Sequence, residues 1–210
     1  MILVIIVNER AREAAMRITK ETTAANRERV LKAAARLFRE KGVDGIAVAE
    51  LMQAAGLTHG GFYNHFESKE ELAAAAFKTA FDAAVARLDR QAARAGRDGR
   101  DPVFAHYVER YLARTTRDAP GTSCPIATLG TDAARHGPEL KAQFASGLRA
   151  YIESFAKIIP SEGEGDRAQA IAVLAMLIGA LTLSRACVGV DDALADEVLT
   201  TVREELVGAR

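Results

Sequence analysis

Apolar positions recur at helical spacing along most of this chain, interrupted by clusters of glycine and proline. Val30, Ala34, Leu37 and Phe38 share one face of a helix predicted over residues 23–41, which Gly42 ends. Val48, Leu51, Met52 and Ala55 mark a short second helix closed by Gly56. Ser68, followed three residues later by Glu71, reads as a capping box in which hydroxyl and carboxylate each satisfy an exposed backbone donor. It launches a long helix predicted from Lys69 to about Ala95. Breaks at 96–102, 120–121, 137–138, 160–165 and 189 leave further predicted helices at 102–117, 124–135, 138–159, 167–188 and 191–206. No stretch shows a strand pattern and none repeats, so the reading is all-α.

Residues 47–66 read as a helix-turn-helix: a short helix, a tight turn at Gly56-Leu57-Thr58, and a second short helix His59-Gly60-Gly61-Phe62-Tyr63-Asn64-His65-Phe66. Phe62 and Phe66 lie four apart and anchor one face in the core, which turns His59, Tyr63 and Asn64 outward, with His65 nearby. Two adjacent glycines in a helix each cost about 1 kcal/mol relative to alanine. That cost makes sense where the backbone must approach a phosphate or base edge closely.

Composition narrows the classes. The 210 residues are 49% hydrophobic and 27% charged with five prolines, enough for a buried core in one large or two small domains. Cys124 and Cys187 are too few for a disulfide framework and lack zinc-site spacing, so a reducing cytoplasm and no structural metal are expected. The apolar opening, residues 1–7, is too short to span a bilayer and has no basic flank. It reads as a disordered or fortuitous extension, with Met1 and Met16 both candidate starts. The apolar stretch 168–183 is short and holds small residues, so it reads as a buried helix and no membrane segment is expected.

The net charge of zero hides an asymmetry: residues 1–69 hold 11 Lys and Arg against 8 Asp and Glu, and residues 70–210 hold 17 against 20. Arg10, Arg12, Arg17 and Lys20 sit in a segment, residues 1–22, read as a flexible arm; its charge suits phosphate, and a solvated tail explains it equally. A sequence pI of about 6.9 is too low for a protein that coats DNA non-specifically. Nucleophile elbow, phosphate loop, zinc-helix motif and dinucleotide fingerprint are all missing from the sequence, so neither an enzyme nor a cofactor is expected.

The chain resembles the TetR/AcrR regulators. The resemblance rests on Asn26-Arg27-Glu28-Arg29-Val30-Leu31, on Ala49-Glu50-Leu51-Met52-Gln53-Ala54-Ala55-Gly56-Leu57-Thr58, and on Gly61-Phe62-Tyr63-Asn64-His65-Phe66-Glu67-Ser68-Lys69-Glu70-Glu71-Leu72. It implies that the second short helix enters the major groove, that Tyr63 and Lys69 contact phosphates, and that residues 58–61 approach bases. Thr58, His59, Gly60, Gly61, Tyr63, Asn64, His65 and Lys69 are therefore the candidate DNA contacts. Ala47 and Ala49 stand where many relatives have a capping threonine and an arginine, and Gly61 where threonine is common, which leaves His59 and Asn64 as the side-chain readers.

The resemblance further implies a division into a helix-turn-helix domain at 23–67 and an effector-binding and dimerisation domain at 68–210. The partners implied are operator DNA, a small-molecule effector and a second copy docked through the last two helices. Repression relieved by an effector is the leading expectation, with activation and thiol sensing as alternatives. Phe104, Tyr107, Tyr111, Phe144, Tyr151 and Phe155 are candidates to line an effector pocket, with ordinary core packing the competing account of each. Pro125 directly after Cys124 predicts a helix whose N-cap is the cysteine, where the helix dipole can activate a thiol; a small buried apolar residue is the alternative. His106 and His136 have no second ligand at helical spacing and are assigned no role.

Overall fold

The computed structural model describes residues 2–98, 100–160 and 167–208, with side chains described from Lys20 onward except at 97–100. Every regular element among them is helical. The α-helices are α1 (Ile2–Lys41), α2 (Val48–Ala54), α3 (Lys69–Asp98), α4 (Arg100–Tyr111), α5 (Arg114–Arg117), α6 (Pro125–Arg135), α7 (Pro138–Ala156), α8 (Arg167–Cys187) and α9 (Asp192–Val207). Two short 3-10 helices, His59–Asn64 and Pro120–Thr122, complete the set.

Two apolar clusters organise the chain. Val30, Ala34 and Phe38 of α1, Leu51 and Met52 of α2, and Phe62 and Phe66 close on the first turns of α3 at Leu72, Ala76 and Phe77. The second cluster gathers Phe81 and Leu88 of α3 with α4, α7, α8 and Leu199 of α9. α3 belongs to both: its 30 residues make a rod of about 45 Å that carries one core into the other. Leu129 and Ala133 of α6 and Leu140 of α7 also pack into the first cluster, so the two cores interlock.

Three expectations are corrected. The arm expected at 1–22 is helical from Ile2, continuous with the expected first helix. Glu9 to Met16 are mostly good helix formers, and the first glycine, at Gly42, is the first residue to stop propagation; the side chains of Arg10, Arg12 and Arg17 lie outside the described residues, and Lys20 is exposed. The helix expected at 102–117 breaks, because Ala113 is extended and the Thr116 hydroxyl donates to the Arg110 carbonyl at 2.6 Å, satisfying an acceptor the helix end leaves free. The His59–Asn64 segment is a 3-10 turn, as two consecutive glycines weaken an α-helix this short.

Candidate nucleic-acid interface and helical-domain cavity

The helix-turn-helix is built by local rules. Gly56 has φ +69°, a conformation that side chains resist, and a Cβ there would also meet the Arg29 guanidinium, so the turn admits glycine. The α2 start lacks a capping side chain at Ala47, and the Glu50 carboxylate compensates in part by accepting from the Ala47 backbone N–H at 3.1 Å. At α3, the Glu71 backbone N–H donates to Ser68 Oγ at 3.0 Å, and the Glu71 carboxylate accepts from the Glu67 N–H at 2.6 Å, one residue earlier than a reciprocal box would place it.

Phe62 and Phe66 are buried with ring centroids 5.9 Å apart, and Arg27 lies 4.6 Å over the Phe66 ring. This anchor fixes the outward set. Tyr63 is 74% exposed, edge-on to Phe62, and Thr58, His59, Gly60 and Asn64 are exposed beside it. Lys69 is half-buried at the first position of α3. His65, expected beside the outward group, is half-buried, and its Nδ1 is enclosed without a hydrogen-bond partner. Neither glycine is required by the fold. A Cβ on Gly60 would meet nothing within 4 Å, and one on Gly61 would meet only ordinary contacts at 3.7 Å and beyond.

In the second half, a cavity of about 120 Å³ opens between α3, α4, α7 and the segment preceding α6. Tyr107, Tyr111, Tyr151 and Cys124 line it. Phe104 and Phe144 do not. Phe104 is one turn from Tyr107 and buried in the core, and Phe144 lies two turns from Tyr151, about 10 Å along α7, packed edge-on against Phe81 at 5.4 Å. Phe155 packs on Tyr107 at 5.1 Å and also stays outside the lining. Residues that no pattern singled out, Arg87, Gln91, Arg110 and Ser123 among them, share the wall. Arg87 and Gln91 are four apart on α3, which reads in a sequence as a solvated helix face.

Cys124 is the N-cap of α6 with Pro125 at the first helical position; it is buried, and its thiol lies 4.0 Å from the Tyr151 hydroxyl. Burial first, then the neighbouring Cys124, pushes the Tyr107, Tyr111 and Tyr151 phenols well above their ordinary range. At the far end of α6, the Asp132 carboxylate accepts from the Val43 backbone N–H at 3.3 Å and His136 Nε2 lies 3.4 Å from Asp44. His106 is exposed. Among the described residues no group of His, Cys, Asp and Glu is placed to hold a metal ion.

Residues 30–76 match the family model of the bacterial regulatory proteins of the tetR family. An HTH-type transcriptional regulator of Bacillus subtilis, YfiR, is 24% identical over 165 residues, 76% of this chain and 77% of that one. The HTH-type transcriptional repressor BepR of Brucella suis is 42% identical over 57 residues, 27% of each chain. A solved TetR transcriptional regulator from Chloroflexus aurantiacus superposes with a TM-score of 0.66 at 27% identity, covering 89% of this chain and 94% of its own. Motif, fold and relatives agree: residues 30–76 are a TetR-family DNA-binding domain, and the chain follows the fold of solved TetR regulators.

Proposed function

We propose that this regulator is a homodimeric repressor that holds a palindromic operator in the cytoplasm and releases it when a small effector occupies the cavity beside Tyr107, Tyr111 and Tyr151. The observation that carries the coupling is that the cavity wall and the DNA-contacting helices share bonds. Arg39 of α1 donates to the Ser123 carbonyl at 3.1 Å, and Asp132 of α6 holds the turn after α1. A ligand that shifts Ser123 or α6 therefore shifts α1 and α2. A differential affinity of a few kcal/mol between the two arrangements is enough to switch the population.

Thr58, His59, Gly60, Gly61, Tyr63 and Asn64 meet the major groove, with Lys69 on phosphate. The open space at Gly60 and Gly61 supports this, since the fold itself has no need of either glycine. The surface of α8, α9 and the turn between them supports dimerisation: Ile171, Met176, Leu183, Val188, Val190 and Leu194 are exposed apolar residues that a second copy would cover. α8 is long and apolar enough to cross a membrane, yet Val173, Leu174, Leu177 and Leu181 on its other face are buried in the second core. Pairing through these helices would set two recognition segments roughly 34 Å apart, one turn of DNA. The reading divides the chain at 23–67 for DNA contact and 68–210 for effector and partner.

Selection of bound sequences from random duplex DNA by the purified protein tests the proposal. Recovery of a palindrome bound about a thousandfold more tightly than scrambled DNA at physiological salt is the expected result. Weak, salt-sensitive binding with no palindrome would overturn it.

A second reading, thiol sensing, rests on the place of Cys124 on the cavity wall, where an electrophile entering the cavity meets the sulfur. The thiolate, its proton passed to solvent, would add to the β-carbon of an electrophile whose C=C bond is conjugated to a carbonyl; the C=C π bond breaks and the α-carbon takes a proton back from solvent. Alkylation of Cys124 no faster than a free thiol across a pH series would remove this reading.

A further inference from the structure

Taking the cavity to be the effector site, its chemistry also states what kind of molecule it takes. Three phenolic hydroxyls face it from α4 and α7. Tyr107 Oη and Tyr151 Oη lie 2.7 Å apart, one donating to the other, and among the described residues the only further group near the pair is the Cys124 thiol, 4.0 Å from Tyr151 Oη and a weak hydrogen-bonding partner at best. Tyr111 Oη is buried, lines the cavity and has no hydrogen-bond partner. One hydroxyl proton of the pair and that of Tyr111 are thus left without an oxygen or nitrogen acceptor on the protein. A phenol is neutral at cellular pH and burial moves all three further from ionisation, so each keeps its hydroxyl proton to donate.

Charge points the same way. Arg87 and Arg110 stand on the rim, and Arg39 and Arg185 lie behind it, both bonded to Ser123. Among the described residues none of these four guanidinium groups enters a salt bridge, and no carboxylate is on the lining. The crowding is felt: burial, then the neighbouring Arg87, draws the Arg39 pKa down to about 10. A cation finds no carboxylate in this site, whereas an oxyanion finds phenolic donors and two guanidinium groups.

Size and shape set the rest. A volume of about 120 Å³ approaches the roughly 150 Å³ of an engineered cavity that accepts benzene, so a ligand of about half a dozen heavy atoms fits without remodelling. Ala84 and Leu88 give one side an apolar wall, which suits a short alkyl group and not a bare inorganic ion. We infer that the cavity takes a short-chain monocarboxylate, its two oxygens accepting from the free Tyr111 hydroxyl and the Tyr107–Tyr151 pair under the Arg87 and Arg110 guanidinium groups.

Calorimetric titration of the full-length protein with sodium propionate, butyrate and valerate, against the matching amides and sodium sulfate at constant ionic strength, tests this. At least one acid is expected to bind, with its amide about tenfold weaker or worse, since the amide loses a charge-assisted pair. Tyr111→Phe, which keeps the ring, and Arg110→Gln, at an exposed position, are each expected to weaken the acid about tenfold while operator affinity stays unchanged. No acid binding at millimolar concentration, equal binding of acid and amide, or preference for sulfate would overturn the inference. Ala84→Leu, which fills the cavity, separates the two readings. If a neutral molecule releases the operator from the parent protein and not from Ala84→Leu, the carboxylate class fails and the effector cavity stands. If any releasing ligand acts equally on Ala84→Leu, the cavity reading itself fails.

Discussion

Arg39 of α1 donates from Nη1 to the carbonyl oxygen of Ser123 at 3.1 Å, a bond between residues 84 apart in the chain. Its Nε donates to the Ala35 carbonyl at 2.7 Å, so the guanidinium is fixed on its own helix before it reaches across. Arg185 of α8 donates to the Ser123 hydroxyl at 2.7 Å and to the Thr116 carbonyl at 3.0 Å. One serine beside Cys124 therefore ties the first helix of the DNA-contacting half to a helix proposed for dimerisation.

Arg39→Gln removes the cross-link without emptying the core. Operator affinity in the absence of effector is expected to stay within about threefold of the parent, while effector-driven release weakens about tenfold, the scale of a typical coupling energy. Operator titrations with and without a releasing ligand check this; unchanged release would show that the signal bypasses Arg39.

Lys69→Ala and Tyr63→Phe separate charge from hydroxyl on the DNA face. Loss of one lysine–phosphate contact is expected to reduce the slope of log affinity against log salt by about 0.9. Tyr63, 74% exposed, is expected to lose affinity as phenylalanine with the same salt slope and the same melting temperature. Affinity measured across a salt series distinguishes the two.

Gly147→Ala tests the packing of α7 on α3. A Cβ at Gly147 would land within the Phe81 ring, which is itself buried against Phe144. Alanine brings roughly 1 kcal/mol of helix propensity, but overpacking here is expected to outweigh it and leave a net loss of about 1–3 kcal/mol. Urea unfolding of the variant gives the sign directly, and a gain in stability would show that Phe81 can move aside.

Asp89 of α3 accepts from Ser154 Oγ at 2.8 Å and from Lys157 Nζ at 3.3 Å, both at the end of α7. The Ser154 hydrogen bond, then Lys157, holds its carboxyl below the ordinary aspartate range. Its folded pKa is thus lower than its unfolded one, so its contribution is present in full above the ordinary value and is lost as pH falls toward the depressed one. The group is half-exposed, and solvent screening keeps the contribution under about 1 kcal/mol. Melting temperatures of the parent and Asp89→Asn are expected to differ at neutral pH and to converge in acid.

Leu183→Glu places a charge on a residue of α8 that is 59% exposed in the single chain. Sedimentation is expected to show a monomer with helicity unchanged, and operator affinity is expected to fall toward the non-specific level, because one half-site contact remains. A stable dimer in this variant would move the interface elsewhere.

What was readable in the sequence was what short-range chemistry dictates. Gly42 and Gly56 end their helices because both adopt positive φ, Ser68 and Glu71 start α3 by capping it, and Pro125 makes Cys124 an N-cap, each within about four residues of its cause. Phe62 and Phe66, one turn apart, announced the buried face, and with it Tyr63 and Asn64 on the other. Tertiary structure alone decided the cavity. Arg87 and Arg110 carry the same signature as any solvated helix position, and they become a rim only because α3, α4 and α7 leave a gap there. Tyr111 and Phe104 are both buried aromatics on one side of the chain's middle, yet one faces the gap and the other the core. Spacing along a helix fixes which residues share a face; which face meets a void depends on the packing of helices distant in the chain, and no local pattern encodes it.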